Sequence, residues 1–314
     1  MTLAKRLLPA VSLLLLCIFF AIRVPQATGH QSFLTVDNLY GVAGQYAYLL
    51  LIGMGATLVI IAGGIDLSVG SVLALSGVTS AYLMVKSGWS VPLGIAAGIG
   101  IGALSGGLVG VVVTKMKVPA FIASLGMLLV ARGVTLRIAK GVTVDGTPEQ
   151  FNQLASGTVQ GVPMPLILVV LVAALIAFIL HYTKLGRYVY AIGSNAEAAR
   201  VSGVPVERVQ LAVYAIGGAL AGLAGLVESA RLSSGNPTGG NGYELDVVTA
   251  VVVGGASLAG GEGRVSGTLL GALLIAVLRN GSNLLGVDPF DQNIYIGLLI
   301  IGAVAFDQKL RKLG

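Results

Sequence analysis

Apolar runs long enough to cross a bilayer recur along almost the whole chain, and they constrain the fold more than any other feature. A spanning helix needs about 20 mostly apolar residues, because the hydrocarbon layer is about 30 Å thick and a helix rises about 1.5 Å per residue. Ten segments approach that length: 7–22, 45–63, 69–87, 90–113, 119–139, 164–181, 211–231, 245–259, 267–280 and 293–306. Several are short or interrupted by glycine. Composition agrees, since 55% of the 314 residues are hydrophobic and 10% charged, with mean hydropathy +0.92. A water-covered globule carries about 25% charged residues. The expected fold is all-α: a polytopic membrane protein of about ten transmembrane helices, with residues 1–314 as a single transmembrane domain.

The charged residues that remain are placed, not scattered. With Lys5 and Arg6 in the cytoplasm and the segments alternating, the loops inside carry Lys115, Lys117, Lys184, Arg187, Arg200, Arg208 and Arg264. The tail adds Lys309, Arg311 and Lys312, while the opposite side receives fewer, such as Arg23, Lys86 and Lys140. Cytoplasmic loops of membrane proteins carry this excess of Lys and Arg. Both termini and the long loop 182–210 are therefore expected in the cytoplasm. Lys5-Arg6 before an apolar run is also how a signal peptide begins, but no small-x-small cleavage site follows, so a retained first helix is expected. The net charge of +6 is spread over short patches. That pattern offers nucleic acid no continuous basic face.

Glycine is the second organising signal, with 46 in the chain. Gly98, Gly102, Gly106 and Gly110 recur every four residues, as do Gly218 and Gly222, and Gly267 and Gly271. On a helix this spacing makes a flat stripe that admits a second helix at close range. Tight packing alone accounts for it; sliding of packed helices is the alternative. A short echo links Val59–Gly64 with Val251–Gly255, each run followed by a small-residue turn.

Catalytic machinery is absent. The chain has no G-x-x-x-x-G-K-[ST] phosphate loop, no H-E-x-x-H and no G-x-S-x-G. Its two histidines, His30 and His181, are far apart, and Cys17 is the lone cysteine. No catalytic residue, resident cofactor or metal site is expected.

Three constellations remain. Gly63-Gly64-Ile65-Asp66-Leu67-Ser68-Val69-Gly70-Ser71 joins two apolar segments. Its glycines and aspartate favour a helix break, with Asp66 or Ser68 placed to cap the next helix. The same break, holding Gly64, Asp66, Ser68 and Ser71, can line a water-filled path, where irregular backbone is tolerated in a membrane. Ser76, Thr79, Ser80 and Ser124 are further lining candidates, with interhelical hydrogen bonding as the alternative fate. Glu228 and Arg231, three apart on one helix face, form either an interfacial ion pair or an outer mouth that meets a partner. Glu244 and Asp246 begin the next segment from the same side. In loop 182–210, Ser194 or Asn195 is suited to cap a helix over Ala196–Val201 that Gly203 and Pro205 end. That helix either packs on its own protein or inserts into a cytoplasmic partner. An ion-driven transporter is the rival reading, with Asp66 and Glu228 as its intramembrane carboxylates.

At these residues the chain resembles the permease subunits of bacterial ABC monosaccharide importers, the branch with ribose, galactose, xylose and arabinose systems. The likeness covers nearly the whole sequence. It includes the Gly63–Ser71 run, Tyr190–Arg200 with Ser202-Gly203, Ala230–Ser234, Gly242–Asp246 and Gly254–Gly261. Asn283–Val287 brings it nearest to the ribose systems. The resemblance implies two permease copies in an inner membrane, a cytoplasmic ATPase that holds ATP and Mg, and a periplasmic sugar-binding protein. It implies that Asn195, Glu197, Ala198, Arg200 and Gly203 belong to the ATPase coupling segment. It identifies no residues for a tight sugar site within the permease.

Overall fold

The computed structural model describes residues 3–29 and 33–312, so His30 lies outside the described residues. The helices are α1 (Leu3–Thr28), α2 (Val36–Gln45), α3 (Ala47–Ile61), α4 (Val69–Val85), α5 (Val91–Lys115), α6 (Ala120–Ala139) and α7 (Glu149–Ser156). They continue as α8 (Met164–Tyr182), α9 (Lys184–Ser194), α10 (Ala196–Val201), α11 (Val206–Arg231), α12 (Tyr243–Val253), α13 (Val265–Leu284) and α14 (Pro289–Lys312). Four two-residue strands, β1 (Val144–Asp145), β2 (Thr158–Val159), β3 (Val162–Pro163) and β4 (Ser234–Gly235), pair as β1 with β4 and β2 with β3. The chain is an all-α polytopic membrane protein.

Among the described residues, six helices are long and apolar enough to span by themselves: α1, α5, α6, α8, α11 and α13. Helices α2 and α3 qualify only together and are bent by 51° at Tyr46. The expected segments 69–87 and 245–259 are shorter as helices. Helix α4 has 17 residues and α12 has 11. Eleven residues reach only about 16 Å, roughly half the hydrocarbon thickness. The rest of that segment's path is taken by non-helical chain ahead of α12. Gly235 lies against Val78 and Ala81 of α4, and Gly240 against Gly70 near the start of the same helix. Residues 235–240 therefore run back into the bundle along α4. Such backbone persists in a membrane only where protein covers it or a water-filled space borders it, and the Arg132 guanidinium supplies part of the cover. Its Nη1 donates to the Pro237 carbonyl at 2.6 Å and the Gly239 carbonyl at 2.8 Å.

Helix α11 is the axis of the bundle, packed against α3, α4 and α5. Every residue of α3 is buried. A helix apolar on all sides, with no polar face to turn to water, belongs in such an interior. The glycine stripes close the α5–α11 contact. A Cβ on Gly102 would collide with the Gly218 carbonyl and sit 2.9 Å from Gly222 Cα. A Cβ on Gly106 would collide with the Tyr214 carbonyl. Gly267 and Gly271 repeat the device against Gly254 and Ala250. At the periphery, Leu129 of α6, Leu171 of α8 and Leu298 of α14 are each more than 60% exposed. That outer surface suits hydrocarbon, not water.

Candidate functional site

The bundle has two chemically different ends. At one end, α3 stops at Ile61, and Gly63 turns the chain with φ +80°. Residues 62–68 are non-helical before α4 begins, so the Gly63–Ser71 run does break the helix. The expected cap is corrected, however. Ser68 stands at the N-cap position without capping. Asp66 Oδ1 instead accepts from Ser68 N–H at 2.8 Å and Ser68 Oγ–H at 2.6 Å. The aspartate folds the linker on itself, a local turn of the kind Asp favours. Asp66, Ser68 and Ser71 are buried at 5%, 1% and 2% exposure. Gly64 faces Tyr214 Oη, which a Cβ would strike.

Of the hydroxyls named as lining, Ser80 donates to Gly94 O at 2.8 Å and Ser124 to Ile65 O at 3.3 Å. Ser76 Oγ, Thr79 Oγ1 and Tyr214 Oη are buried without a hydrogen-bond partner among the described residues.

The loop after α8 reaches this same end. Tyr190 Oη donates to Gly263 O at 2.9 Å, and Gly261 N–H donates to Ile61 O at 2.9 Å. Gly193 lies between them, where a Cβ would overlap Ile61 O and Gly261 N. Helix α10 covers Ala196–Val201, as its sequence predicts, with Asn195 Oδ1 accepting from Ala198 N–H at 2.9 Å. Gly203 adopts φ +83°, the left-handed conformation that closes a helix and favours glycine. Sequence reasoning missed α9, although Thr183 caps it and Gly186, Val189 and Ile192 mark its buried face.

Ala199 is buried against this chain, so only Asn195, Glu197, Ala198, Arg200 and the 88%-exposed Val201 face outward. Glu197 and Arg200 are also not free. Arg200 donates to Glu197 at 2.5 Å and to Glu207 of α11 at 2.8 Å, and Lys117 approaches Glu207 at 3.7 Å. The hydrogen bond to Glu197, then that to Glu207, holds the Arg200 pKa above its ordinary value. These are surface pairs, each worth about 1 kcal/mol or less. They tie α10 to α11 more by geometry than by energy.

The remaining candidates lie farther from α10: Glu228 and Arg231 at the last turn of α11, and Glu244 inside the bundle beside the start of α4. Arg231 grips Glu228 with two hydrogen bonds, Nη2 to Oε1 at 2.8 Å and Nε to Oε2 at 3.1 Å. Glu244 packs beside Gly70, where an added Cβ would lie 2.7 Å from its Oε2. Asp246 is 4% exposed and receives Arg279 Nη2 on both oxygens, at 3.0 and 2.9 Å. Arg279 was overlooked in the sequence, although an arginine inside an apolar segment calls for a partner. The rings of Tyr48 and Tyr243 stack at 4.0 Å nearby. The structure thus brings Asp246 to Arg279 and Glu244 to Gly70, and keeps Glu228 with Arg231.

The site thus combines a broken span, a half-length helix preceded by partly buried irregular chain, and a capped helix outside the bundle. Comparison with known proteins decides what this arrangement serves. Residues 38–304 match the family described as "Branched-chain amino acid transport system / permease component". The chain belongs to this permease family. The ribose import permease protein RbsC of Escherichia coli (strain K12) is 44% identical over 302 residues, covering 95% of this chain and 93% of the relative. RbsC of Bacillus subtilis (strain 168) is 43% identical over 307 residues, 97% and 93%. The D-allose transport system permease protein AlsC of Escherichia coli (strain K12) is 37% identical over 280 residues, 89% and 86%. No solved structure matches. As a permease component, the chain is a transport subunit without an ATPase site of its own.

Proposed function

We propose that this permease is the membrane subunit of an ATP-driven importer that carries a monosaccharide, ribose first, across the bacterial inner membrane. One observation carries the reading: near-full-length similarity at 44% identity to a ribose import permease. In this reading residues 1–314 are one permease domain that pairs with a second copy in surrounding lipid. A periplasmic binding protein delivers sugar to the Tyr243 end, where Glu228, Arg231, Glu244 and Asp246 form or border the mouth. A cytoplasmic ATPase docks at the α10 end and holds ATP and Mg; this chain holds no cofactor and no nucleic acid. Movement of α9 and α10 reaches the α3 terminus through the glycine contact at Gly193. The break at Gly64, Asp66, Ser68 and Ser71 lies on the path that opens.

Ten crossings follow, with α2–α3 as one and residues 235–253 as another. Both termini then face the cytoplasm. The arrangement of the ends supports this: contacts through Ile61, Lys117, Gly193 and Gly261 gather four loops at the end richest in Lys and Arg. Asn195→Cys in a Cys17→Ser background is expected to resist impermeant maleimide in intact cells and to react after lysis. Labelling from outside would sink the orientation.

The functional test is sugar uptake into proteoliposomes holding the permease, its ATPase and its binding protein. D-Ribose uptake is expected to require ATP; uptake driven by an ion gradient alone would favour the rival transporter. Ala198→Glu puts a charged side chain on the outward face of α10. Gly203→Pro demands φ near −65° where the chain has +83°. Both are expected to insert normally while cutting ATPase co-purification and uptake by about tenfold or more, the equivalent of about 1.4 kcal/mol of docking energy. Wild-type coupling in both would make α10 a surface feature only.

A further inference from the structure

At the Tyr243 end a cavity of about 630 Å³ opens between the starts of α3, α12 and α14 and the last turns of α13. That is within the range of about 300–1,000 Å³ that small-molecule sites occupy. Its chemistry is specific. Among the described residues, Asp246 and Arg279 are the only strongly ionisable ones on its wall, and they neutralise each other through the two hydrogen bonds of one guanidinium nitrogen. A ligand with its own net charge finds no free counter-charge there. Gln45, Asn241 and Asn293 are exposed and present carboxamides, each both donor and acceptor, although Asn293 Oδ1 already accepts from Arg279 Nη2 at 3.5 Å. Gln292, by contrast, is tied to Asn283 Oδ1 at 2.7 Å and Val287 O at 3.0 Å, so it shapes the wall. Tyr46, Tyr48 and Tyr243 add ring surface edged with hydroxyls, and the Tyr48–Tyr243 stack fixes two of the rings.

We infer that this cavity is a binding site for an uncharged, polyhydroxylated ligand of monosaccharide size. Every sugar hydroxyl is at once donor and acceptor; the carboxamides of Gln45 and Asn241 answer both roles, and the Asn293 amide N–H groups can donate. The C–H faces of a sugar ring need apolar surface, which the tyrosines give. A neutral ion pair and exposed amides bind such a ligand loosely, as a transit site requires. Calling it a transit site rests on the importer reading above, in which this end faces the arriving sugar; binding itself does not.

The test uses the full-length permease in lipid nanodiscs, with Asn293→Cys or Asn241→Cys in a Cys17→Ser background. Maleimide labelling of either cysteine is expected to slow severalfold with D-ribose, and not with L-leucine or D-ribose 5-phosphate. A control cysteine at Leu232, exposed at the same end, should show no ribose effect. In the complete importer, Asn241→Ala and Asn293→Ala should each raise the KM for D-ribose by up to about tenfold with little change in kcat, the signature of lost binding. Absent protection by D-ribose, or equal protection by all three compounds, would overturn the assignment. Unchanged KM in both alanine variants would take the cavity off the transport route. Failure of the importer reading is distinguishable: wild-type complexes would then take up no ribose, while the protection assay on the permease alone still decides the cavity.

Discussion

Gly102→Leu is expected to abolish folding, with monodisperse protein below about a tenth of the wild-type yield when a fluorescent fusion is run on a sizing column. The reason is backbone, not side chain. The first added carbon overlaps the Gly218 carbonyl and lies within 3.0 Å of Gly222 N and 2.9 Å of its Cα. No rotamer change relieves contacts with a helix backbone, so α5 and α11 must separate along their shared length. Overpacking by a methylene or two costs about 1–3 kcal/mol even where side chains can yield. Here they cannot, and native stability is only about 5–15 kcal/mol. Gly100→Leu is the control, since nothing lies within 4 Å of a Cβ at Gly100. Near-wild-type yield is expected from it. Equal loss in both variants would assign the defect to crowding of α5 in general rather than to the α5–α11 contact.

The second large effect is expected at Gly193. Gly193→Val should leave insertion and yield near normal yet cut ATP-dependent uptake about tenfold to a hundredfold. Valine's Cβ would overlap Ile61 O and Gly261 N, which are themselves hydrogen bonded at 2.9 Å. Gly260 closes the contact from the other side, where its own Cβ would lie 2.8 Å from Gly193 O and 3.0 Å from Gly63 Cα. Three chain segments meet there with no side chain between them. A wedge of one or two methyl groups must lift α9 and α10 from the end of α3, at the overpacking cost of about 1–3 kcal/mol. One power of ten in coupling corresponds to about 1.4 kcal/mol. Gly193 is half-buried at the edge of the bundle, although Ile61 beneath it is fully buried, so α9 and α10 can tilt outward where α5 cannot and yield is expected to fall less than in Gly102→Leu. Uptake and ATP hydrolysis measured together decide it. If both remain at wild-type rates in Gly193→Val, α9–α10 does not act through α3. Loss of hydrolysis along with uptake would show that the wedge also shifts the ATPase seat.

What could be read from the sequence follows a physical division. Lipid imposes its length and apolarity on each spanning segment separately, so all ten expected segments overlap helices. Local chemistry is equally legible. Asn195 caps α10 and Gly203 closes it, because capping and left-handed turns depend on a few neighbouring residues. Helix α9 was passed over because it is amphipathic rather than uniformly apolar, and its signal is spacing instead of hydropathy.

The sequence by itself determined that the chain lives in a membrane, where its helices lie, where its glycine stripes run and which family it resembles. Only the tertiary structure decided that Asp246 belongs to Arg279, that Arg132 holds the carbonyls of Pro237 and Gly239, and that residues 235–240 run back along α4. It also turned Asp66 from an expected cap into a closed turn, and showed that Arg200, on the outward face of α10, pairs with Glu197 and with Glu207 of α11. Composition and period report on one segment at a time. A buried charge chooses its partner, and an irregular segment its cover, among groups far apart in sequence, and that choice is made by which helices pack side by side.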